Sequence, residues 1–188
     1  MLSSLLTQVN QCTLCKASLP YHPRPVLQVS ASARLMIVGQ APGAKAHATH
    51  TPWNDPSGER LRAWMGIDDE TFYNSQYIAL LPMAFCYLGR GKTGDLPPPA
   101  VCATTWHSKI TAHIQSPMIL LVGQYAQSYY LNDKRSLTQR VMHWQDYQPR
   151  HFPLPHPSPR NNIWLKRNDW FERDVLPALR ERISRFLG

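Results

Sequence analysis

The chain contains no apolar run near the roughly 18 residues that a membrane-spanning helix requires. Its first residues, MLSSLLTQVNQC, carry neither a basic n-region nor a long apolar stretch, so they do not read as a secretory signal. There is no Lys/Arg tract and no low-complexity tail. These absences point to a cytoplasmic protein with no membrane partner. Cysteine is sparse: Cys12, Cys15, Cys86 and Cys102 are all there is. A disulfide framework is the less expected use in a reducing compartment.

What is present fits one domain over residues 1–188, with 43% hydrophobic residues to build a core. Net charge is +8 and the sequence pI is about 9.6. A basic surface favours polyanions, because each phosphate contact releases counterions. The six Trp and seventeen Pro are unusual and gather in several of the segments below.

Leu2, Leu5, Leu6 and Val9 recur at helical spacing. RLMIV at 34–38 reads as a strand running into GQAPG, a turn that lets backbone approach a ligand. SGERLRAWMG at 57–66 reads as a helix with Ser57 as N-cap, followed by a strand, YIALLPMAF, at 77–85. The loop DLPPPAV leads to a helix over about 99–115. MILLVG at 118–123 is a strand and QYAQSYYL the helix after it. HFPL at 151–154 is a fourth strand, ending at HPSPR. A final amphipathic helix runs from Trp164 to Leu187, with a break expected at Pro177. Trp64, Trp106 and Trp170 read as core. Alternation of strands and helices predicts a three-layer α/β/α domain around a mostly parallel four-stranded sheet. Ligands bind beyond the carboxyl ends of such strands, where GQAPG, the segment after YIALLP and HPSPR all fall.

Cys12 and Cys15 form a C-x2-C knuckle, and Cys86 and Cys102 are spaced C-x15-C. CTLC follows a helix and does not open one after a strand, which argues against a thioredoxin-type pair. Four thiolates suit either Zn or a [4Fe–4S] cluster, and the spacing does not choose between them. The alternative is four unrelated buried thiols. An electron-transfer role lacks support, since no second cofactor motif is present.

Taken in order, the C-x2-C knuckle, GQAPG, PWND, the third and fourth cysteines and HPSPRN resemble the uracil-DNA glycosylase superfamily. The nearest resemblance is to its iron–sulfur (family 4) branch, and it covers almost the whole chain. It implies a [4Fe–4S] cluster on Cys12, Cys15, Cys86 and Cys102. It also implies a DNA partner carrying a damaged or deaminated base, and a monomer that flips and excises that base. His156 would donate to the departing base and Trp53 would stack on it. The backbone of Gly39 to Gly43, with Ala41, would line the pocket. Ser158 and Arg160 would contact DNA. Two positions depart from the family pattern. The family's acid in GEAPG is Gln40 here, an amide like the Gln of GQDPY-type enzymes, and Ala41 stands where other branches place Asp or Asn. The family's base-reading Asn is Pro82. Asp55 is the candidate replacement base and Asn54 the candidate reader of a base edge; the alternative is that both shape a turn or cap the next helix. The second functional reading is a superfamily member that binds nucleic acid or a nucleobase-like ligand without efficient cleavage. His47, His50, Lys166 and Arg167 read as solvated residues.

Overall fold

The alternation of strand and helix signals is realised in a computed structural model that describes residues 1–92, 94–115 and 118–188. Four strands form the central sheet: β1 (Leu35–Val38), β2 (Ile78–Leu80), β5 (Met118–Val122) and β6 (His151–Leu154). Their order is β2-β1-β5-β6 and every pairing is parallel. A parallel sheet is covered on both faces, and these strands are accordingly apolar in both directions. Leu35, Ile37, Leu80, Leu120, Val122 and Leu154 point to one face. Met36, Val38, Ala79, Ile119 and Leu121 point to the other. The period-2 alternation of side chains thus feeds two separate cores.

The first core is closed by α3 (Pro56–Met65), α4 (Asp69–Tyr73) and the C-terminal α9 (Leu176–Leu187), through Leu61, Trp64, Phe72, Leu179 and Ile183. The second is closed by α1 (Leu2–Asn10), α5 (Ala100–Thr111) and α6 (Gln124–Tyr130), through Val9, Ala103, Trp106, Ile110 and Ala126. Helices on both sheet faces make the expected three layers. Shorter helices α2 (Ala44–Thr49), α7 (Leu137–Met142) and α8 (Asn162–Arg167) join them. No helix among the described residues is long and apolar enough to cross a membrane.

Five details differ from the sequence expectation. Two short strands, β3 (Arg90–Gly91) and β4 (Gly94–Asp95), pair antiparallel, where the sequence reading assigned no strand. The strand expected over 77–85 keeps only Ile78–Leu80, with Pro82 following just beyond it. The N-cap of α3 is Asp55, with Pro56 in the first turn; Ser57 lies buried inside the helix. The C-terminal helical run is interrupted at Asn168, whose side chain donates to the Trp164 carbonyl at 2.8 Å, and it also changes next to Pro177, where a π-helical turn over Phe171–Val175 passes into α9. Pro177 sits in the first turn of α9, where its missing N–H is tolerated. Trp64 and Trp106 are core as expected, while Trp170 is only partly buried.

Candidate active site

The carboxyl ends of β1 and β6, and the segment that follows β2, meet around one cleft of about 310 Å³. Backbone bonds set their spacing. Met83 N–H donates to the Gly39 carbonyl at 2.8 Å and Ala84 N–H to that of Gln40 at 3.0 Å. Gly39, Gln40, Ala41, Trp53, Asp55, Pro82, His156, Ser158 and Arg160 all line the cleft. Asn54 does not: its Nδ2 donates to Thr49 Oγ1 at 3.2 Å, away from the other candidates. The β3–β4 pair adds Arg90 and Asp95 to the rim, two residues that sequence reasoning missed.

Trp53 is held in the left-handed backbone region, φ 56°, uncommon for any residue with a side chain. Two glycines make room for it. A Cβ on Gly39 would lie 2.6 Å from Trp53 Cζ2, and a Cβ on Gly58 would lie 1.7 Å from the Trp53 carbonyl oxygen. Two side chains then grip the backbone. Arg62 Nη1 donates to the Trp53 carbonyl at 3.3 Å, and the Tyr73 hydroxyl donates to the Pro52 carbonyl at 3.0 Å. Arg62 is nearly buried, ion-paired with Asp69 and stacked over the Phe72 ring at 5.1 Å. The result lays the indole on Gly39 with its ring 5.8 Å from that of His156, at 29°.

His156 is oriented from its own loop. Ser158 N–H donates to His156 Nδ1 at 3.2 Å, which makes Nδ1 the acceptor and places the ring proton on Nε2. Asn161 Nδ2 donates to the His156 carbonyl at 2.7 Å, and Arg60 reaches from α3 to the Ser158 carbonyl and to Asn162 Oδ1. Burial pushes the imidazole below its ordinary pKa, outweighing the opposite pull of Asp55 and Asp95. His156 is therefore neutral at pH 7, with an Nε2–H donor not engaged by any described side chain.

Asp55 does two things at once. Its Oδ1 accepts from Gly58 N–H at 2.9 Å, capping α3. Its Oδ2 is turned toward Gly43, another cleft-lining residue, 3.8 Å from where a Cβ on that glycine would lie. The cap reading and the site reading thus hold together for this residue. Gln40 has its Nε2 engaged by the Leu96 carbonyl at 3.0 Å, leaving its amide oxygen as an acceptor. Pro82 is fixed from behind. Its carbonyl accepts from His107 Nε2 at 3.0 Å, and His107 Nδ1 accepts from the Tyr130 hydroxyl at 2.8 Å. Burial lowers the His107 pKa to about 4, so this ring is neutral too.

The four cysteines line a second, small cavity of about 20 Å³, walled otherwise by Leu, Pro, Phe and Ala. Burial raises the Cys15, Cys86 and Cys102 thiols, the last to about 12, and the neighbouring thiols add to each shift. Among the described residues no group of three or more His, Cys, Asp or Glu side chains is placed to hold a metal ion. The four cysteines share one apolar space. An all-sulfur donor set fits a thiophilic metal in kind.

The chain matches the model of the uracil DNA glycosylase superfamily over residues 21–180, and it belongs to that superfamily. The match includes the whole of the cleft. It leaves Cys12 and Cys15 outside.

Two outcomes follow. Gly39→Ala drives a methyl into the indole and costs about 1–3 kcal/mol of stability; a fall in thermal midpoint with a change in tryptophan fluorescence checks it. A histidine whose pKa is lower folded than unfolded binds fewer protons when folded, so folding stability is present above the unfolded value and is lost as pH falls. With His107 at about 4 and His156 also lowered, urea midpoints should drop between about pH 6.5 and about pH 4.

Proposed function

We propose that the chain is a DNA glycosylase that flips a deaminated base, uracil or a related one, into this cleft and hydrolyses its N-glycosidic bond. The observation that carries the reading is the pairing of the Trp53 face with a neutral, donor-ready His156 at the strand ends. A base entering the cleft stacks on the indole. As the C1′–N bond breaks, the electron pair leaves with the base, and the sugar takes on oxocarbenium character. His156 Nε2–H donates to the base carbonyl oxygen where that negative charge collects. Asp55 Oδ2 stabilises the cationic sugar and accepts the proton of the water that adds to C1′. This assigns Asp55 the role that the acid of GEAPG holds in the resembling enzymes, since Gln40 is uncharged. Arg160 and Ser158 contact the DNA backbone at the rim.

The second reading, binding without efficient cleavage, draws on Pro82 and on the engaged Gln40 amide. Neither residue can present a paired donor and acceptor to uracil. It is the weaker reading, because the cleft sets the Asp55 carboxylate, of which only Oδ1 serves the α3 cap, together with the His156 donor.

We further propose that Cys12, Cys15, Cys86 and Cys102 hold a [4Fe–4S] cluster, with Zn as the alternative. A bound cluster would tie the N-terminal helix to the middle of the chain and takes no part in bond cleavage. What supports the reading is the all-sulfur donor set gathered around one apolar cavity.

Purified protein incubated with uracil-, hypoxanthine- and xanthine-containing oligonucleotides, then treated with alkali, should produce strand breaks. His156→Ala should cut that rate by about 100-fold or more while leaving DNA affinity intact. Metal-replete protein that binds DNA and cleaves none of the three would refute the glycosylase assignment. Anaerobically purified protein should contain iron and lose it on Cys15→Ser; a preparation with neither iron nor zinc would refute the metal assignment.

A further inference from the structure

No Asp or Glu occurs before Asp55, and between Thr71 and Asn132 the only acid is Asp95. The segments folded from these stretches therefore carry an excess of positive charge: Lys16, Arg24, Arg34 and Lys45 in the first, and Arg90, Lys92 and Lys109 in the second, where Asp95 pairs with Arg90 at 3.8 Å. They meet at a cluster of three rings. Tyr21 stacks on His47 at 5.3 Å and 23°, and lies at 6.1 Å and 22° from Tyr87. His47 and Tyr87 complete the triangle at 5.9 Å. Arg24 is exposed beside it, its Nη1 on the Ala48 carbonyl at 3.3 Å.

Three features set this cluster apart from ordinary packing. Tyr21 is 60% exposed, so the stack is open on the solvent side. The His47 Nδ1 is buried with no hydrogen-bond partner, so the ring is held there at the expense of its polar edge. The cluster also sits close in the chain to cleft-lining residues: His47 follows the cleft-lining Ala46 on α2, and Tyr87 lies three residues before the cleft-lining Arg90.

We propose that Tyr21, backed by His47 and Tyr87, is a stacking platform for one unpaired nucleotide that flanks the excised base, with Arg24 neutralising its phosphate. The proposal rests on the chain acting on DNA. A face-on aromatic ring with adjacent cations is the general solution for holding a base without reading its sequence. A paired base cannot offer its face, so the platform favours single-stranded or locally opened DNA.

The test uses a fluorescein-labelled, lesion-free single-stranded oligonucleotide and the full chain, read by anisotropy at fixed ionic strength. Tyr21→Ala should weaken binding by about tenfold, Tyr21→Trp should bind at least as well as wild type, and a fully paired duplex should respond little to either. Unchanged single-strand affinity in Tyr21→Ala, or an equal loss on the duplex, would overturn the platform. So would a wild-type chain that binds no single strand. Because the probe carries no lesion, failure of excision in the same preparations would count against the glycosylase assignment alone.

Discussion

The arrangement of the cleft depends on one strained residue. A non-glycine residue in the left-handed region costs on the order of 1–3 kcal/mol and persists only where its surroundings over-determine it. Around Trp53 those surroundings are explicit. Gly39 and Gly58 leave the space, and Arg62 and Tyr73 hold the carbonyls of Trp53 and Pro52. Arg62 is itself anchored by Asp69 and the Phe72 ring, so α3 and α4 share in fixing the indole. Without that backbone turn the indole would not reach Gly39, and His156 would lose the ring it faces.

The second constraint is electrostatic. The cleft holds carboxylates at Asp55 and Asp95 close enough to pull on His156, yet burial keeps the imidazole neutral. A neutral ring with its Nδ1 tied to Ser158 N–H can present only Nε2–H to a ligand. The same logic recurs behind Pro82, where the neutral His107 passes a hydrogen bond from the Tyr130 hydroxyl to a loop carbonyl. Two histidines thus act as fixed dipoles at two edges of one site.

Much of this was legible in the sequence. The parallel sheet followed from apolar strands separated by helical segments. The strand-end motifs followed from glycine and proline, whose local effects survive any tertiary context. The HPSPR loop is the clearest case: its prolines exclude helix, and the structure uses the stiff segment to aim His156. Other features left weaker traces. Asp55 stood in the sequence as a possible cap beside Ser57, and the Asp-Pro step, with proline favouring the first helical position, decides between them. The β3–β4 pair has strands of two residues and no alternation, so nothing periodic announced it. The left-handed Trp53 carried no signal of its own, because it is imposed by packing on Gly39 and Gly58 and by the hold of Arg62 and Tyr73, which no local pattern announces. Asn54, adjacent to two cleft residues, turns to Thr49 for the same reason: neighbours in sequence need not share a face.

The central claim is that His156 is a neutral ring with its proton on Nε2, facing a fixed indole. Nitrogen-15 NMR of uniformly labelled protein, with His156 assigned by comparison with His156→Gln, measures this directly. The account predicts a neutral Nε2–H tautomer at pH 7 that persists below the ordinary histidine pKa of about 6.5. An imidazolium at pH 7, or a proton on Nδ1, would contradict it.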